Sequence, residues 1–358
     1  MHEISIEGKI YTPAYFTGER ESDFSKKSPF HRQLGLFLRE WFSDSPTLCL
    51  HTSGSTGKPK EIIVRKEQMW QSARSTCHFF GLKKKDKALL CLPLEYIAGK
   101  MMVVRALYAG LDLYPIEPDG HPLADINTPL DFAAMVPLQV YNSLQAEKEK
   151  ERLSRIKSLI IGGGATGEIL ETVLKTFPNN IYSTYGMTET LSHVALRRIS
   201  GAKVDDYYTP LPSVDLALSE ENRLIINASP VTGEPIITND IAELQPDGRF
   251  RIIGRIDNVI NSGGIKIQIE EVEQILCPHI DGNFAVTSIP HPKLGEAIVL
   301  LVEQPVDPVS VEKMVSRLLT RHQQPLHIHS VTAIPQTGNG KTDRAATKQL
   351  AKKINLLS

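Results

Sequence analysis

The sequence has few cysteines, and their spacing is not typical of a metal site or a redox pair. Four cysteines occur in 358 residues, and no two of them form a CxxC pair. We expect apolar surroundings for all four, as reduced thiols in the core of a cytoplasmic protein. The four are Cys49, Cys77, Cys91 and Cys277.

Excess charge of one sign and long apolar runs are also lacking. The formal net charge is -1, whereas general binding to nucleic acid or to a membrane surface needs a basic excess. No apolar run approaches the ~18 residues of a membrane span, and the first residues lack the basic start and apolar block of a signal peptide. We therefore expect a cytoplasmic protein with small-molecule ligands and with neither nucleic acid nor membrane as a partner.

Apolar, strand-like runs alternate with helical patterns from Leu48 to about Tyr185. The runs at Ala88–Leu92, Asp131–Val136 and Ser158–Gly162 each precede a helix-like segment. Strands and helices in regular alternation predict an α/β domain with a mainly parallel sheet.

Two further patterns follow this alternation. Between Ser192 and Ile253, β-like runs with turn signals predict a short β subdomain with a hairpin at QPDGRF. After GRIDNVINSGG, helices and strands mix over about a hundred residues, a usual size for a small domain. We predict a large N-terminal α/β domain at residues 1–254 and a small C-terminal α+β domain at residues 255–358.

A polar loop interrupts the apolar segment LCLHTSGSTGKPKEIIV. Residues Thr52 to Lys60 are nearly all Gly, Ser, Thr, Lys or Pro. The spacing differs from a Walker A loop, because Gly54 and Gly57 are too close and Lys58 is followed by proline. Glycines and hydroxyls can nevertheless hold a polyanion. A phosphate-binding loop and a plain Ser/Gly surface loop are both compatible with this stretch.

A second glycine-rich stretch, IIGGGATGEIL, contains the spacing G-x-G-x-x-G. Gly162, Gly164 and Gly167 lie between a predicted strand and a predicted helix, as in dinucleotide-binding folds. However, the motif follows several strand–helix units, and the acid at suitable distance, Glu189, lies beyond the next strand. We favour glycine-rich turns lining a nucleotide pocket over an NAD-dependent oxidoreductase.

Polar residues also follow the strand in YSTYGMTET and precede the last helix in PQTGNGKTDR. Ligands bind at the carboxyl edge of parallel sheets, where Glu189 could hold Mg²⁺; the alternative is a helix start rich in capping residues. Lys341 could approach a phosphate, although a lysine on such a loop is commonly only solvated.

Four motifs in a fixed order resemble the adenylate-forming superfamily of acyl- and aryl-CoA synthetases, luciferases and peptide-synthetase adenylation domains. They are the Thr52–Lys60 loop, YGMTET, TND with GRIDNVI, and GNGK, and the resemblance extends from about Leu48 to Arg344. It implies an AMP-forming acid–thiol ligase with ATP and CoA as co-substrates and Mg²⁺ as cofactor. A carboxylate would attack the ATP α-phosphate, and a thiol would then take the acyl group from the adenylate.

The resemblance also implies roles for individual residues. The expected ATP-binding residues are Thr52, Ser53, Gly54, Ser55, Thr56, Gly57, Lys58, Gly163, Gly164, Ala165, Tyr185, Asp240 and Arg255. The expected catalytic residues are Lys341, Thr188 and Glu189. Glu189 would also bind Mg²⁺, Gly263 and Gly264 would line the path of CoA, and the small domain would be mobile about a hinge at Asp257.

Within the superfamily, the segments LPLEYIAGK, AMVPLQ and NSGGIKI most resemble the o-succinylbenzoate–CoA ligase family of menaquinone biosynthesis. That acid has a second carboxylate, so its pocket should contain a cation. The candidates are Lys100 and Arg105, with His193 or Arg197 as rivals. The alternative is that Lys100 and Arg105 form structural ion pairs with Glu95 or Asp112.

The chain departs from the usual family pattern in length and in one acid contact. Only about fifty residues precede the Thr52 loop, and the missing mass suggests a homo-oligomer. Where relatives often have an aromatic–His pair in LPLxHxxG, this chain has Glu95 and Tyr96, so Tyr96 is expected at an altered acid contact.

Other interpretations remain beside the ligase. A CoA ligase for another acyl or aryl acid and a carrier-protein acylating adenylation enzyme would both share the fold, and a non-catalytic nucleotide sensor would share the pocket. His322, His327 and His329 are expected to be solvated or core residues rather than metal ligands, because no carboxylate or cysteine stands at ligand spacing.

Overall fold

The computed structural model describes residues 3–18, 23–51, 61–164, 166–304, 308–336 and 342–357. The predicted site residues outside these ranges are Thr52, Ser53, Gly54, Ser55, Thr56, Gly57, Lys58, Ala165 and Lys341. The chain divides into two compact units. The first contains Met1–Leu216, Ile226–Ile236 and Pro246–Arg249, and the second contains Ala217–Ile225, Ile237–Gln245 and Phe250–Ser358.

The helices and strands of the described residues are as follows. The helices are α1 Pro13–Thr17, α2 Pro29–Trp41, α3 Lys66–Phe80, α4 Ile97–Ala109, α5 Pro137–Gln145, α6 Glu147–Arg155, α7 Glu168–Leu174, α8 Ser229–Thr232, α9 Ile269–Leu276, α10 Pro308–Leu318 and α11 Arg344–Leu357. The strands are β1 Ile4–Ile6, β2 Lys9–Tyr11, β3 Thr47–His51, β4 Glu61–Arg65, β5 Lys87–Leu90, β6 Asp112–Pro115, β7 Phe132–Met135, β8 Ser158–Ile161, β9 Asn180–Gly186, β10 His193–Arg198, β11 Thr209–Pro210, β12 Asp215–Leu218, β13 Arg223–Asn227, β14 Ile236–Leu244, β15 Phe250–Arg255, β16 Val259–Ser262, β17 Ile265–Gln268, β18 Phe284–His291, β19 Gly295–Glu303 and β20 His327–Val331.

A nine-stranded sheet forms the centre of the first unit, in the order β11-β10-β9-β8-β7-β5-β6-β1-β2. Strands β1 and β5 to β9 pair in parallel, whereas β2 at one end of the sheet and β10 and β11 at the other end pair antiparallel with their neighbours. The predicted mainly parallel sheet is confirmed. Every residue of β7 and β8 is buried, because helices cover both faces of such a sheet and its central strands are continuously apolar.

The two faces of this sheet contribute to separate hydrophobic clusters. Ala88 and Leu90 of β5 belong to one cluster, and Leu89 between them belongs to the other, as the two-residue period of a strand requires. Leu89 is fully buried, and truncating such a core leucine to alanine costs about 2–5 kcal/mol.

Sequence patterns missed some elements of the first unit. The short strand β6 and the β1–β2 hairpin were not predicted, because three or four residues give too little periodicity to detect. One helix was expected after β7, but Ala146 has the extended values φ -106° and ψ 115°, so the segment forms α5 and α6.

The expectation of four core cysteines is confirmed for Cys77 and Cys91, is wrong for Cys49, and holds only in part for Cys277, which is half-buried. Cys77 and Cys91 are buried, and burial raises the pKa of each thiol to about 12. Cys49 is exposed and pairs across the β3–β4 hairpin with Ile63, which is 75% exposed. The alternation of side chains along a strand turns Leu48 and Leu50 inward and Cys49 outward.

The second unit contains most of the sheet β12-β13-β14-β15 and the whole five-stranded sheet formed by β16 to β20. The predicted QPDGRF hairpin is confirmed, since β14 and β15 are antiparallel and Gly248 in their loop has φ +84°. The β16–β17 hairpin was not predicted. The domain boundary before Arg255 and the mobility of the C-terminal domain stay predictions.

Among the described residues, no helix combines the length and the apolar character needed to cross a membrane.

Candidate active site

Several predicted site residues lie at the carboxyl edge of the parallel sheet. Strand β8 ends at Ile161, next to Ser183 of β9, so Gly163 and Gly164 follow β8 where β9 continues to Gly186. Thr188 and Glu189 come directly after β9. Ligands of α/β proteins bind at this edge, and the predicted residues of both strands are brought to it.

Close packing explains the glycines after β8. A Cβ on Gly162 would lie 2.5 Å from Thr184 Oγ1, and this hydroxyl donates a 3.2 Å hydrogen bond to the carbonyl of Ile161. Gly163 has φ +80°, a conformation that glycine adopts without strain. The backbone therefore follows a course that a larger residue at either position would disturb.

A tight turn presents Thr188 and Glu189. Residues Thr188–Thr190 form a single 3-10 turn, and the Thr190 hydroxyl accepts a 2.9 Å hydrogen bond from the backbone N–H of Met187. A Cβ on Gly186 would lie 2.2 Å from the Ser192 carbonyl oxygen, so the chain reverses sharply into β10. Thr190 is fully buried and Glu189 is exposed.

The chemistry of this turn fits a hard cation that is shared with a ligand. Mg²⁺ takes one or two carboxylates and completes its octahedron with water and phosphate oxygens. Glu189 supplies an exposed carboxylate and follows Thr188 in the sequence. Among the described residues no group of three or more His, Cys, Asp or Glu could hold a metal ion, so a cation at Glu189 would need further oxygens from a substrate and water.

Arg105 is a buried cation on α4 without a carboxylate partner among the described residues. Its side chain is 2% exposed, and burial lowers the pKa of its guanidinium to about 10. Nη2 donates a 2.5 Å hydrogen bond to Ser192 Oγ, Nη1 contacts Met102 Sδ at 3.6 Å, and Nε is buried without a described partner. A buried guanidinium with open donors is well suited to an incoming anion.

The alternative that Arg105 forms a structural ion pair with Glu95 or Asp112 is wrong. Asp112 accepts hydrogen bonds from Ser5 Oγ at 2.7 Å and from the Gly8 N–H at 2.8 Å, and Glu95 is exposed. Asp112 is therefore used to hold the β1–β2 turn.

His193 belongs to the same cluster as Arg105 but is not a second cation. Burial, and secondly the charge of Arg105, hold the pKa of His193 well below its ordinary value. Nε2 lies 3.1 Å from Thr76 Oγ1, and Nδ1 lies 3.4 Å from Ser192 Oγ. The neutral imidazole thus connects α3 to the serine that contacts Arg105. Sequence reasoning missed Thr76, because it is one of several small polar residues in α3 and no local pattern distinguishes it from the others.

Tyr96 and Lys100 lie at the beginning of α4 and are half-buried. A Cβ on Gly99 would lie 2.4 Å from the Pro93 carbonyl oxygen, so this glycine lets the first turn of α4 pack on the preceding backbone. Burial lowers the pKa of Lys100, while the charge of Glu40 acts in the opposite direction.

Arg197, the other rival cation, is already paired. Its guanidinium donates two hydrogen bonds to Glu171 of α7, one of them 3.0 Å long, and both side chains are largely buried. A bidentate pair of this kind leaves little capacity for a substrate carboxylate. Arg105 is therefore the better candidate.

Within the second unit, Arg255 connects two predicted site residues. Arg255 pairs with Asp240 in the register of β14 and β15, and its Nη1 donates a 3.1 Å hydrogen bond to Asp240 Oδ1. Its Nε and Nη2 each donate a 2.9 Å hydrogen bond to Asp257. The hydrogen bonds from Arg255 lower the pKa of Asp257, and the same bonds raise the pKa of Arg255.

Gly263 and Gly264 form the turn of the β16–β17 hairpin. Ser262 pairs with Ile265, and the two glycines between them have φ +59° and φ +82°. A two-residue hairpin loop of this type requires positive φ at both positions. The turn by itself accounts for both glycines, and a contact with CoA stays a prediction.

Comparison with known proteins identifies the family to which the chain belongs. Residues 13–239 match the AMP-binding enzyme family. The chain is 32% identical, with a TM-score of 0.63, to an acyl-CoA synthetase (AMP-forming)/AMP-acid ligase II-like protein from Dyadobacter fermentans; the match covers 96% of this chain and 97% of that chain.

Two further similarities concern proteins that are named for one acid. The 2-succinylbenzoate–CoA ligase of Escherichia coli K12 is 27% identical, over 92% of this chain and 75% of its own length. The o-succinylbenzoate coenzyme A synthetase of Bacillus subtilis, solved with ATP and magnesium ion, is 19% identical with a TM-score of 0.70, over 83% of this chain and 68% of that chain. At that identity the second similarity shows the fold alone.

Proposed function

Because the chain belongs to the AMP-binding enzyme family, we propose that it is an ATP-dependent acid–CoA ligase that acts on o-succinylbenzoate. The acid carboxylate attacks the ATP α-phosphorus and releases pyrophosphate. The CoA thiolate then attacks the acyl carbon of the adenylate and releases AMP. The products are o-succinylbenzoyl-CoA, AMP and pyrophosphate, as in menaquinone biosynthesis.

The observation that carries the choice of acid is the state of Arg105. A guanidinium that is 2% exposed, with no carboxylate partner among the described residues, is costly to bury. An acid with a second carboxylate would supply the missing negative charge when it binds. The name of the Escherichia coli relative supports an acid of this kind.

The sheet edge of the first unit would bind the nucleotide. Gly163, Gly164 and Tyr185 are the proposed adenine contacts, and Thr188 and Glu189 the proposed contacts to phosphate and Mg²⁺. A bound Mg²⁺ would neutralise developing phosphate charge as a Lewis acid. The role of Glu189 is to hold that charge at a fixed turn, and Tyr96 and Lys100 would border the acid.

The remaining assignments rest on the motif resemblance. The loop Thr52–Lys58 is proposed to bind phosphates, and Lys341 to stabilise charge on the α-phosphate during adenylation. In the second unit, Asp240 and Arg255 are proposed ribose ligands, Asp257 is the proposed hinge, and Gly263 and Gly264 are proposed CoA contacts.

Acid-dependent ATP–pyrophosphate exchange tests the proposal. We expect exchange with o-succinylbenzoate, much weaker exchange with benzoate or with aliphatic monocarboxylates, and thioester formation once CoA is added. Lys341→Ala should abolish the exchange. Exchange that prefers a monocarboxylate would refute the assigned acid, and no exchange with any acid would favour the nucleotide sensor. Thioester formation with a carrier protein but not with CoA would identify the carrier-acylating alternative.

A further inference from the structure

A connected set of polar side chains lies beside the proposed adenine contacts in the first unit. We call it the Glu171 network, and its members are Thr166, Glu171, Ser183, Arg197 and Tyr208. Glu171 of α7 accepts the two hydrogen bonds from Arg197 of β10 and a further one from the Thr166 hydroxyl. The carboxylate thus receives three charge-assisted hydrogen bonds.

The Glu171–Arg197 ion pair is buried enough to hold both side chains in place. The side chains of Arg197 and Glu171 are 13% and 15% exposed. Burial alone would lower the pKa of Arg197, but the hydrogen bond and charge of Glu171, together with Tyr208, raise it above its ordinary value. A bidentate pair with two fixed donors resists rotation, whereas exposed pairs contribute little.

Arg197 in turn holds an aromatic pair. Its guanidinium lies over the Tyr208 ring, 5.3 Å from the centroid, and the Tyr208 hydroxyl is 2.9 Å from Ser183 Oγ on β9. The Tyr208 ring contacts Tyr185 with a centroid separation of 5.9 Å and an interplanar angle of 57°. Tyr208 is therefore restrained on one face, at its hydroxyl and against Tyr185.

The same carboxylate also restrains the glycine-rich turn. Thr166 follows Gly163 and Gly164 along the chain, and its hydroxyl donates to Glu171. Glu171 is thus connected to both elements that the proposed function places at the base: the turn after β8 directly, and Tyr185 through Arg197 and Tyr208.

We propose that Glu171 and Arg197 are positioning residues for adenine, which keep Tyr185 and the glycine-rich turn in place before the nucleotide binds. The proposal rests on the proposed function in taking adenine as the ligand beside Tyr185. Neither residue touches the base. Without them, the tyrosines and the turn must be ordered on binding, at a cost of about 0.5–1.5 kcal/mol for each immobilised side chain.

Direct measurement of ligand binding distinguishes a positioning role of Glu171 and Arg197 from a purely structural role. Titration calorimetry with AMP and with inorganic tripolyphosphate, on the full chain, compares wild type with Glu171→Gln, Arg197→Lys and Tyr208→Phe. We expect Glu171→Gln to weaken AMP binding about tenfold, the size of one or two ordered side chains, and to leave tripolyphosphate within twofold. Arg197→Lys should lose less AMP affinity than Glu171→Gln, because lysine keeps the positive charge but not the forked pair of N–H donors of arginine.

A matched control is available in the same unit. Glu149 has a side chain that is 5% exposed and accepts hydrogen bonds from Ser143 at 3.0 Å and, at 2.7 Å, from His121. Glu149→Gln makes the same chemical change in a carboxylate whose partners are outside the Glu171 network. It should lower stability without a preferential loss of AMP binding.

Each outcome bears on the proposal. If Glu171→Gln lowers the melting temperature but binds AMP like wild type, the positioning role is overturned. Equal losses of affinity for AMP and for tripolyphosphate in Glu171→Gln would also overturn the positioning role. If Glu171→Gln does not fold, Tyr208→Phe decides. It removes the phenolic hydroxyl, with its contacts to Ser183 and Arg197, keeps the ring against Tyr185, and should weaken AMP binding by two- to threefold. Wild-type AMP binding without acid-dependent exchange would refute the ligase alone and leave the binding comparison intact.

Discussion

Arg105 Nη2 donates a 2.5 Å hydrogen bond to Ser192 Oγ across 87 residues of sequence. Thr76 Oγ1 donates to the Ser72 carbonyl at 3.3 Å, so it accepts from His193 Nε2–H. His193 Nδ1 then accepts from the Ser192 hydroxyl, which in turn accepts from Arg105. Since each hydroxyl has one proton, the chain of donors is complete with a neutral imidazole and a charged guanidinium.

Arg105→Ala should raise KM for o-succinylbenzoate about 10- to 100-fold, because a hydrogen-bonded charge contributes about 1.5–3 kcal/mol. KM for ATP should stay within about twofold. Steady-state exchange kinetics measure both values, with Lys100→Ala as the companion variant. If KM for the dicarboxylic acid is unchanged in both variants, neither residue recognises the second carboxylate.

Arg105→Met should raise the free energy of unfolding while it lowers the affinity for the acid. Methionine fills a similar volume and removes a buried charge whose Nε has no described partner, and such replacements stabilise by about 1–4 kcal/mol. Urea unfolding of both proteins without acid measures the change. A loss of stability in the variant would mean that the charge is compensated in the folded protein.

Stability should fall in mild acid partly because of His193. Its pKa is depressed in the folded protein, so as pH drops below about 6.5 the unfolded chain binds a proton that the folded chain does not. The free energy of unfolding should therefore be lower at pH 5.5 than at pH 7.5. Urea unfolding of wild type and His193→Gln at both pH values isolates the effect, since His31 and His329, with depressed pKa values of their own, are common to both. Equal losses in the two proteins would contradict a buried neutral His193.

Gly162→Ala should destabilise the first unit by about 1–3 kcal/mol, because its Cβ would lie 2.5 Å from Thr184 Oγ1. Thr184→Ala removes this oxygen and leaves the Thr184 Cβ at 3.8 Å, an ordinary contact. Gly162→Ala should therefore cost much less stability in the Thr184→Ala background than in the wild-type protein. A double-mutant cycle of melting temperatures measures this difference. If the losses of stability in the two single variants simply add in the double variant, the strain does not arise from the contact with Thr184 Oγ1.

Local patterns were enough to predict the parallel sheet, the QPDGRF hairpin and the order of the ligand-binding motifs. Fully buried strands such as Phe132–Met135 and Ser158–Ile161 need continuous apolar runs, and turns need particular residues, so both leave a mark in the sequence. The family followed from motifs whose order along the chain is itself a sequence property.

Only the tertiary structure separated the candidate cations. Arg105, His193 and Arg197 are equivalent in the sequence, but folding leaves Arg105 without a described carboxylate partner, makes His193 neutral and pairs Arg197 with Glu171. It also placed Cys49 outside the core. Burial and the choice of partner depend on which distant segments pack together, and the energy of a charge depends on that environment rather than on its sequence neighbours.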